Sequence, residues 1–542
     1  IMYLDEAMQA DDREQFRTAM AEEVKSHTEM NHWQIVRKSD LPPGTEVLPS
    51  VWAMRRKRRI ATQEVYKWKA RLNGHGGKQT KFVNYWETYS PVVGWTTIRT
   101  FLIMMITNNW VSRQVDFVLA FPQAKIECEM YMEVPRGFQV DGNRKEYALR
   151  LDNNLYGQKQ AGRVWNTFMH DGLVARGFRQ SKIDMCVYYR GQVALMIYVD
   201  DGILIGPNQG LLQQAYDDLE TEAIDENGVR HRAFRITDEG DLADYLGVKI
   251  EQLPNGTIKL SQPHLIQQVL DDLGFSSHTK SQPTPAASTI KLNRDPLGKC
   301  HEEAWEYRSI IGKLNFIEKS TRMDLSYAVH QCARFSSDPK ESHSLAVKRI
   351  GRYLMGTKDK GLILDPKSTS FDCFVDADFV GNWHRVHAQS DPGTAKSRTG
   401  YVVMYASCPI VWASKLQREV ALSTTKAEYN ALSKSLREVI NMMQLIQETK
   451  DEQIWAVNDD VPTVHCKVFE DNSGALQIAT VPKMRPRTKH INNKYFHFVD
   501  NTREGSGYSF HEIDTEVQPA DILTKPLPFD AFHRHRLHIQ GW

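Results

Sequence analysis

A chain of 542 residues is too long for one hydrophobic core and predicts two or three domains. Its 41% apolar and 25% charged residues are the ordinary balance of a soluble globular protein. Its seven cysteines, odd in number and without a Cys-x-x-Cys pair, exclude a disulfide framework and a zinc site and point to a reducing compartment.

No apolar run approaches the length of a membrane span and no signal peptide opens the chain, so no membrane partner is expected. Ile1 is not an initiator, which reads as a piece of a longer precursor. Asp5 to about Asn31 predicts one amphipathic helix with Phe16, Met20, Val24 and Met30 on one side, ended by Pro42-Pro43-Gly44. The formal net charge is only +1, but Arg55-Arg56-Lys57-Arg58-Arg59 is an unbroken basic run. In Val65-Tyr66-Lys67-Trp68-Lys69-Ala70-Arg71-Leu72 cations alternate with apolar or aromatic residues, as in a strand presenting Lys67, Lys69 and Arg71 from one face. A solvated face or a nuclear-localisation-like patch would also carry such charge; binding of a nucleic-acid template and a triphosphate is favoured.

Gln114-Val115-Asp116-Phe117 is a strand leading through Val118-Leu119-Ala120-Phe121 into a short turn or helix. Leu155-Tyr156-Gly157-Gln158-Lys159-Gln160-Ala161 is a glycine-punctuated basic segment entering a helix. Val193 to Ile197 and Gly202 to Gly206 read as a hairpin with Tyr198-Val199-Asp200-Asp201 at its tip. Adjacent carboxylates repel unless a cation lies between them, so Asp116, Asp200 and Asp201 on rigid strands suit two divalent ions.

Phe234 to Leu260 alternates like hairpin strands about Pro254-Asn255-Gly256, and Ser261-Gln262-Pro263 opens a helix stopped by Gly274. Ser276 to Lys299 is an extended connector, followed by helices near 303–319, 324–336 and 342–355 and a linker near 358–370. Beyond it, a strand from Phe371 delivers Asp376, strands follow at 399–406 and 409–413, and a long helix from Ser423 carries Glu428. The strand Val464–Phe469 leads to Asp471, and Gln518-Pro519-Ala520-Asp521 starts a short helix. A helix cap is an equal explanation of Asp471 taken alone. His533, His535 and His538 read as a basic tail rather than a metal site.

Gln-Val-Asp then Ala-Phe, Leu-Tyr-Gly-x-Lys-Gln-Ala and Tyr-Val-Asp-Asp, in this order, resemble the reverse transcriptase of copia-type LTR retrotransposons. Tyr66 to Leu72, Tyr89-Ser90-Pro91-Val92, Asp244-Tyr245-Leu246-Gly247 and Tyr307 to Leu314 extend the likeness over nearly the whole chain. It implies an α+β right-hand polymerase (fingers, palm, thumb and connection) followed by an α/β ribonuclease H-like domain with a mixed central sheet. The divisions expected are 1–225 for fingers and palm, 226–357 for palm end, thumb and connection, 358–370 for a linker, and 371–542 for the nuclease.

The resemblance implies an RNA-directed DNA polymerase using Asp116, Asp200 and Asp201, and hybrid cleavage by Asp376, Glu428, Asp471 and Asp521, each site holding two Mg2+ (or Mn2+) ions. It also implies that Lys69 and Arg71 contact the triphosphate, Gln160 the nucleotide or template base, and that Phe121 lies beneath the incoming sugar. From sequence alone, a core role for Phe121 is equally open. Expected partners are an RNA template, a DNA or tRNA primer, RNA–DNA hybrid, deoxynucleoside triphosphates and the integrase of the same polyprotein. The expected location is intracellular, in a cytoplasmic virus-like particle, with the nucleus as a further site. Gly162 stands where the family has Pro, Phe379 where it has Trp, and 381–397 is longer than in many relatives. No protease Asp-Ser/Thr-Gly motif and no integrase zinc module is present. The alternatives are a catalytically inactive or domesticated remnant that binds nucleic acid or proteins, and an RNA-copying RNA polymerase.

Overall fold

The computed structural model describes residues 2–58, 64–386, 391–454, 464–480 and 507–542. The chain divides into two compact units, one of Ile1–Val93, Ser112–Leu204 and Asn208–Asp241, the other of Gly94–Val111, Ile205–Pro207 and Leu242–Trp542.

The first unit is built around a six-stranded sheet. Its order is Ile236–Gly240, Val111–Phe117, Asp201–Gly206, Val193–Tyr198, Val187–Arg190 and Arg179–Gln180. The hairpin strands are apolar almost throughout, from Val193 to Ile197 and from Ile203 to Ile205, because both faces of this central pair are covered. A second, three-stranded sheet pairs Ser50–Arg58 with Val65–Gly74 in antiparallel register, Arg55 opposite Lys69 and Ala53 opposite Arg71. Ala70 and Leu72 of the latter strand turn into a core with Phe16, Trp52 and Met54, so strand parity sends Lys69 and Arg71 to the other face.

The amphipathic segment at the start is two helices, Leu4–Gln9 and Arg13–Glu29, not one. The break frees Asp12, whose carboxylate accepts from Arg56 Nε at 2.6 Å and Trp68 Nε1 at 2.5 Å. Those bonds hold its carboxyl below the usual carboxylate range. Phe16 and Met20 are buried as expected.

In the second unit, Val248–Gln252 and Ile258–Ser261 form the expected hairpin, whereas Ile236–Gly240 joins the six-stranded sheet instead. Residues 276–299 carry neither helix nor strand, and helices follow at Tyr307–Ser320, Ser326–Ala333 and Glu341–Met355. The stretch 358–370 contributes an edge strand, Leu362–Leu364, paired to Ile258–Leu260. A mixed five-stranded sheet has the order Cys408–Leu416, Arg398–Tyr405, Phe371–Asp378, Cys466–Glu470 and Tyr508–Glu512. The first three strands are antiparallel and the last two run parallel to Phe371–Asp378.

The tail expected at 533–538 is instead part of a packed helix, Phe529–Gln540, with His535 buried and Gln540 Oε1 accepting from Asp324 N at 2.7 Å. Phe532, His535, Arg536 and Ile539 share one helical stripe, which buries them together. Burial, then the nearby Arg534, lowers the His535 imidazole to about 4. Asp324 itself is fully buried against Arg322, at 2.8 Å, and accepts from the Tyr353 hydroxyl at 2.6 Å. Among the described residues no helix is long and apolar enough to cross a membrane.

Candidate active sites

Asp116 lies near the end of Val111–Phe117, Asp200 in the tight turn and Asp201 at the start of the adjoining strand. The backbone ties them together: Phe117 N donates to Asp200 O at 2.8 Å. At the tip Val199 takes left-handed backbone (φ 61°), unfavourable for a β-branched residue by about 1–3 kcal/mol. Trp165 Nε1 donates to Val199 O at 2.6 Å and holds that conformation. Glycine is required beside it, since a Cβ on Gly202 would lie 2.7 Å from Val115 Cγ2.

The three carboxylates line a cavity of ≈ 550 Å³ whose other walls include Lys57, Lys67, Lys69, Arg71, Tyr156 and Glu239. Burial, reinforced by Asp200 and Glu239, raises the Asp116 carboxyl. Burial and then Asp200 and Asp116 push Asp201 up to about 6. Opposite them, burial and then Arg71 and Lys57 lower the Lys69 ammonium. Crowded acids lining a polar cavity fit divalent cations, and the Lys and Arg that line it with them fit a polyanion.

Arg71 stacks over the Tyr156 ring at 3.7 Å, and the Phe121 ring lies against Tyr156 with centroids 5.0 Å apart. Phe121 is thus half-buried at the edge of the cavity wall, in the short helix Ala120–Gln123 that follows left-handed Leu119. Gln160 is placed elsewhere. It is 3% exposed, and its Oε1 accepts from Gln79 Nε2 at 2.8 Å while Gln79 Oε1 accepts from Lys159 N at 2.7 Å. The side chain thereby fastens the loop after Gly76 and is not among the residues lining the cavity. Sequence reasoning missed Glu239, which a bulge between Asp238 and Gly240 turns toward the acids, and Glu23, whose Oε1 accepts from Leu72 N at 3.2 Å.

A second group of acids gathers on the five-stranded sheet. Asp376 comes from Phe371–Asp378, Glu428 from the helix Thr424–Asp451, whose N-terminus Ser423 caps, and Asp471 from the turn after Cys466–Glu470. One oxygen of each lies within 4.8 Å of the others. Asp521 starts the helix Asp521–Thr524 and stands beside Asp376. The Thr524 hydroxyl donates to Asp376 Oδ2, and the Thr515 hydroxyl to Asp471 Oδ2 at 2.8 Å. Asp471 is not the helix cap: Asn472 Oδ1 accepts from Ala475 N at 2.9 Å in that role.

Burial raises the Asp376 carboxyl, which Lys525 partly offsets. Burial and Glu470 raise Glu428 well above the carboxylate range, and burial and Asp376 push Asp521 up to about 7. Glu470 is a further acid absent from the sequence reading. It is fully buried, and Oε2 of both Glu470 and Glu428 has no hydrogen-bond partner. Its signal was available in strand parity, since Cys466, Val468 and Glu470 share the inward face. Buried carboxylate oxygens without partners are costly, and a divalent cation would satisfy them.

Residues 30–287 match the family described as reverse transcriptase (RNA-dependent DNA polymerase). The retrovirus-related Pol polyprotein from transposon RE2 of Arabidopsis thaliana is 32% identical over 533 residues, 97% of this chain and 34% of that protein. The Pol polyprotein from transposon TNT 1-94 of Nicotiana tabacum is 31% identical over 540 residues, 98% of this chain and 38% of that protein. The chain thus spans little more than a third of the length of these relatives. Among solved structures, a foamy viral protease-reverse transcriptase in complex with double-stranded DNA aligns at a TM-score of 0.48 and 11% identity, covering 92% of this chain and 70% of that one.

Proposed function

Because the chain belongs to the copia-type retrotransposon Pol family and carries its reverse transcriptase domain, a polymerase fold, we propose that it copies RNA into DNA at Asp116, Asp200 and Asp201 and cleaves the RNA of the resulting hybrid at Asp376, Glu428, Asp471 and Asp521. The observation that carries the first half is the cavity itself, lined together by three acids from the six-stranded sheet and its hairpin turn and by Lys69 and Arg71 from the three-stranded sheet. Asp116, Asp200 and Asp201 would hold Mg2+, which supplies charge stabilisation to the attacking and leaving oxygens of an in-line phosphoryl displacement. Lys69 and Arg71 bind the triphosphate, and Tyr156 holds the Arg71 guanidinium flat by stacking. Phe121, braced by the same ring, limits the space open to a 2′-hydroxyl.

Exposed Phe82, Trp86 and Tyr89, with Lys81 over the Phe82 ring and Lys159 over Tyr85, give the same unit a surface suited to unpaired template bases and phosphates. The nuclease half is supported by Asp376, Glu428 and Asp471, delivered by a strand, a helix and the turn after a strand to one point on a mixed sheet, with Asp521 beside Asp376. Asp376, Glu428 and Asp471 would hold the ion there, and the Thr515 and Thr524 hydroxyls orient two of those carboxylates. An inactive remnant is the second reading, and seven retained acids argue against it.

Primer extension on an RNA template, run in parallel with deoxy- and ribonucleotides, tests the reading. Deoxynucleotide incorporation that needs Mg2+ or Mn2+ is expected. Ribonucleotide incorporation alone would identify an RNA polymerase, and no extension with retained template binding would identify a remnant.

A further inference from the structure

A lysine of the chain lies among the acids of the second cluster. Lys525 follows the helix Asp521–Thr524 in extended backbone (φ −140°, ψ 156°), and its Nζ is 2.8 Å from Asp521 Oδ1. Asp376 and Asp471 act on the same ammonium. The preceding residue, Thr524, binds Asp376 through its hydroxyl. Two consecutive residues of one helix end therefore engage Asp376 and Asp521, while Asp376, Glu428 and Asp471 bring their oxygens within 4.8 Å of one another. Lys525 thus stands at the Asp521 edge of the cluster, where it also acts on Asp376 and Asp471.

A surface i,i+4 ion pair that supports a helix is the plain account of such a contact. It does not fit here, because the Asp521 side chain is 8% exposed and the helix is a single turn beside Asp376 and Asp471. We propose that Lys525 is a positioning residue that stands in for the second divalent cation of the nuclease site until hybrid binds. On this view the hybrid-free site loads one ion, on Asp376, Glu428 and Asp471. The second ion enters beside Asp521 only after the ammonium withdraws. An ammonium and a divalent cation repel at such separations, so the two compete for Asp521. The Lys525 side chain is 36% exposed on a flexible four-carbon stem, which lets the ammonium swing outward to a phosphate of the arriving strand. This inference rests on the nuclease reading of the cluster.

The test counts ions rather than turnover. The full chain carrying Asp116→Asn and Asp201→Asn, to silence the other acids, is titrated with Mn2+ while free Mn2+ is followed by electron paramagnetic resonance. One tight ion is expected for this background. Adding Lys525→Met should admit a second, with affinity raised by about tenfold or more, whereas Lys525→Arg should keep one. Lys525→Gln supplies the same measurement if the Met variant does not fold. Equal ion number and affinity with Lys, Met and Gln at this position would overturn the inference. Adding Asp471→Asn separates it from the parent reading: if that change leaves Mn2+ binding intact, the cluster is no metal site and the nuclease assignment itself fails.

Discussion

Asp201→Asn should make the protein more stable at neutral pH while ending the proposed polymerase activity. Burial, and then Asp200 and Asp116, push the Asp201 carboxyl up to about 6 from the ordinary 3.8, so ionising it costs the fold. Between those two values the folded state binds more protons than the unfolded one, and stability falls as pH rises through the window. Below pH 3.8 the penalty is absent, and above about 6 it is complete. That rise corresponds to about 3 kcal/mol, reduced to about 1–2 kcal/mol because the side chain keeps partial contact with water. The assay is urea denaturation of both proteins without divalent metal at pH values above and below the window. The Asn variant should gain about 1–2 kcal/mol above it and little below it. Adding Mg2+ should stabilise the parent protein more than the variant. A variant that is less stable, or equally shifted at both pH values, would refute the claim that like-charge crowding and burial strain this site.

Replacing Lys69 and Arg71 together with Ala should raise KM for deoxynucleotide and flatten its salt dependence, measured by steady-state extension at several ionic strengths. Phe121→Ala should raise ribonucleotide incorporation relative to deoxyribonucleotide in a paired-substrate assay; an unchanged ratio would leave only its packing on Tyr156. Gln160→Ala should lower stability by about 1–3 kcal/mol by orphaning Gln79, with nucleotide KM unchanged in the folded fraction.

The strands and helices that carry the acids were legible because their signals are local. Apolar runs flanking Tyr198-Val199-Asp200-Asp201 make a hairpin whatever else the chain does, and Ser423 caps the Glu428 helix by its own side chain. Parity likewise sorted Lys69 and Arg71 from Ala70 and Leu72. What escaped were consequences of tertiary contact. Glu239 enters the cavity because its strand pairs with the Asp116 strand, a partner 120 residues away that no local pattern names. Gln160 lies outside the cavity lining, its side chain held by Gln79. Lys525 is one lysine among many until Asp521, Asp376 and Asp471 are seen around it. Glu470 and the stripe of Phe529–Gln540 are different, since parity and helical spacing would have disclosed both.

Reciprocal loss on one substrate tests the central claim most directly. An RNA template annealed to a labelled DNA primer allows extension and RNA cleavage to be read on the same gel. Asp200→Asn should abolish extension and leave cleavage of a preformed hybrid near the unsubstituted rate. Asp471→Asn should abolish cleavage while extension persists. Loss of both activities in both variants, or of neither, would contradict two separate acid sites performing two reactions.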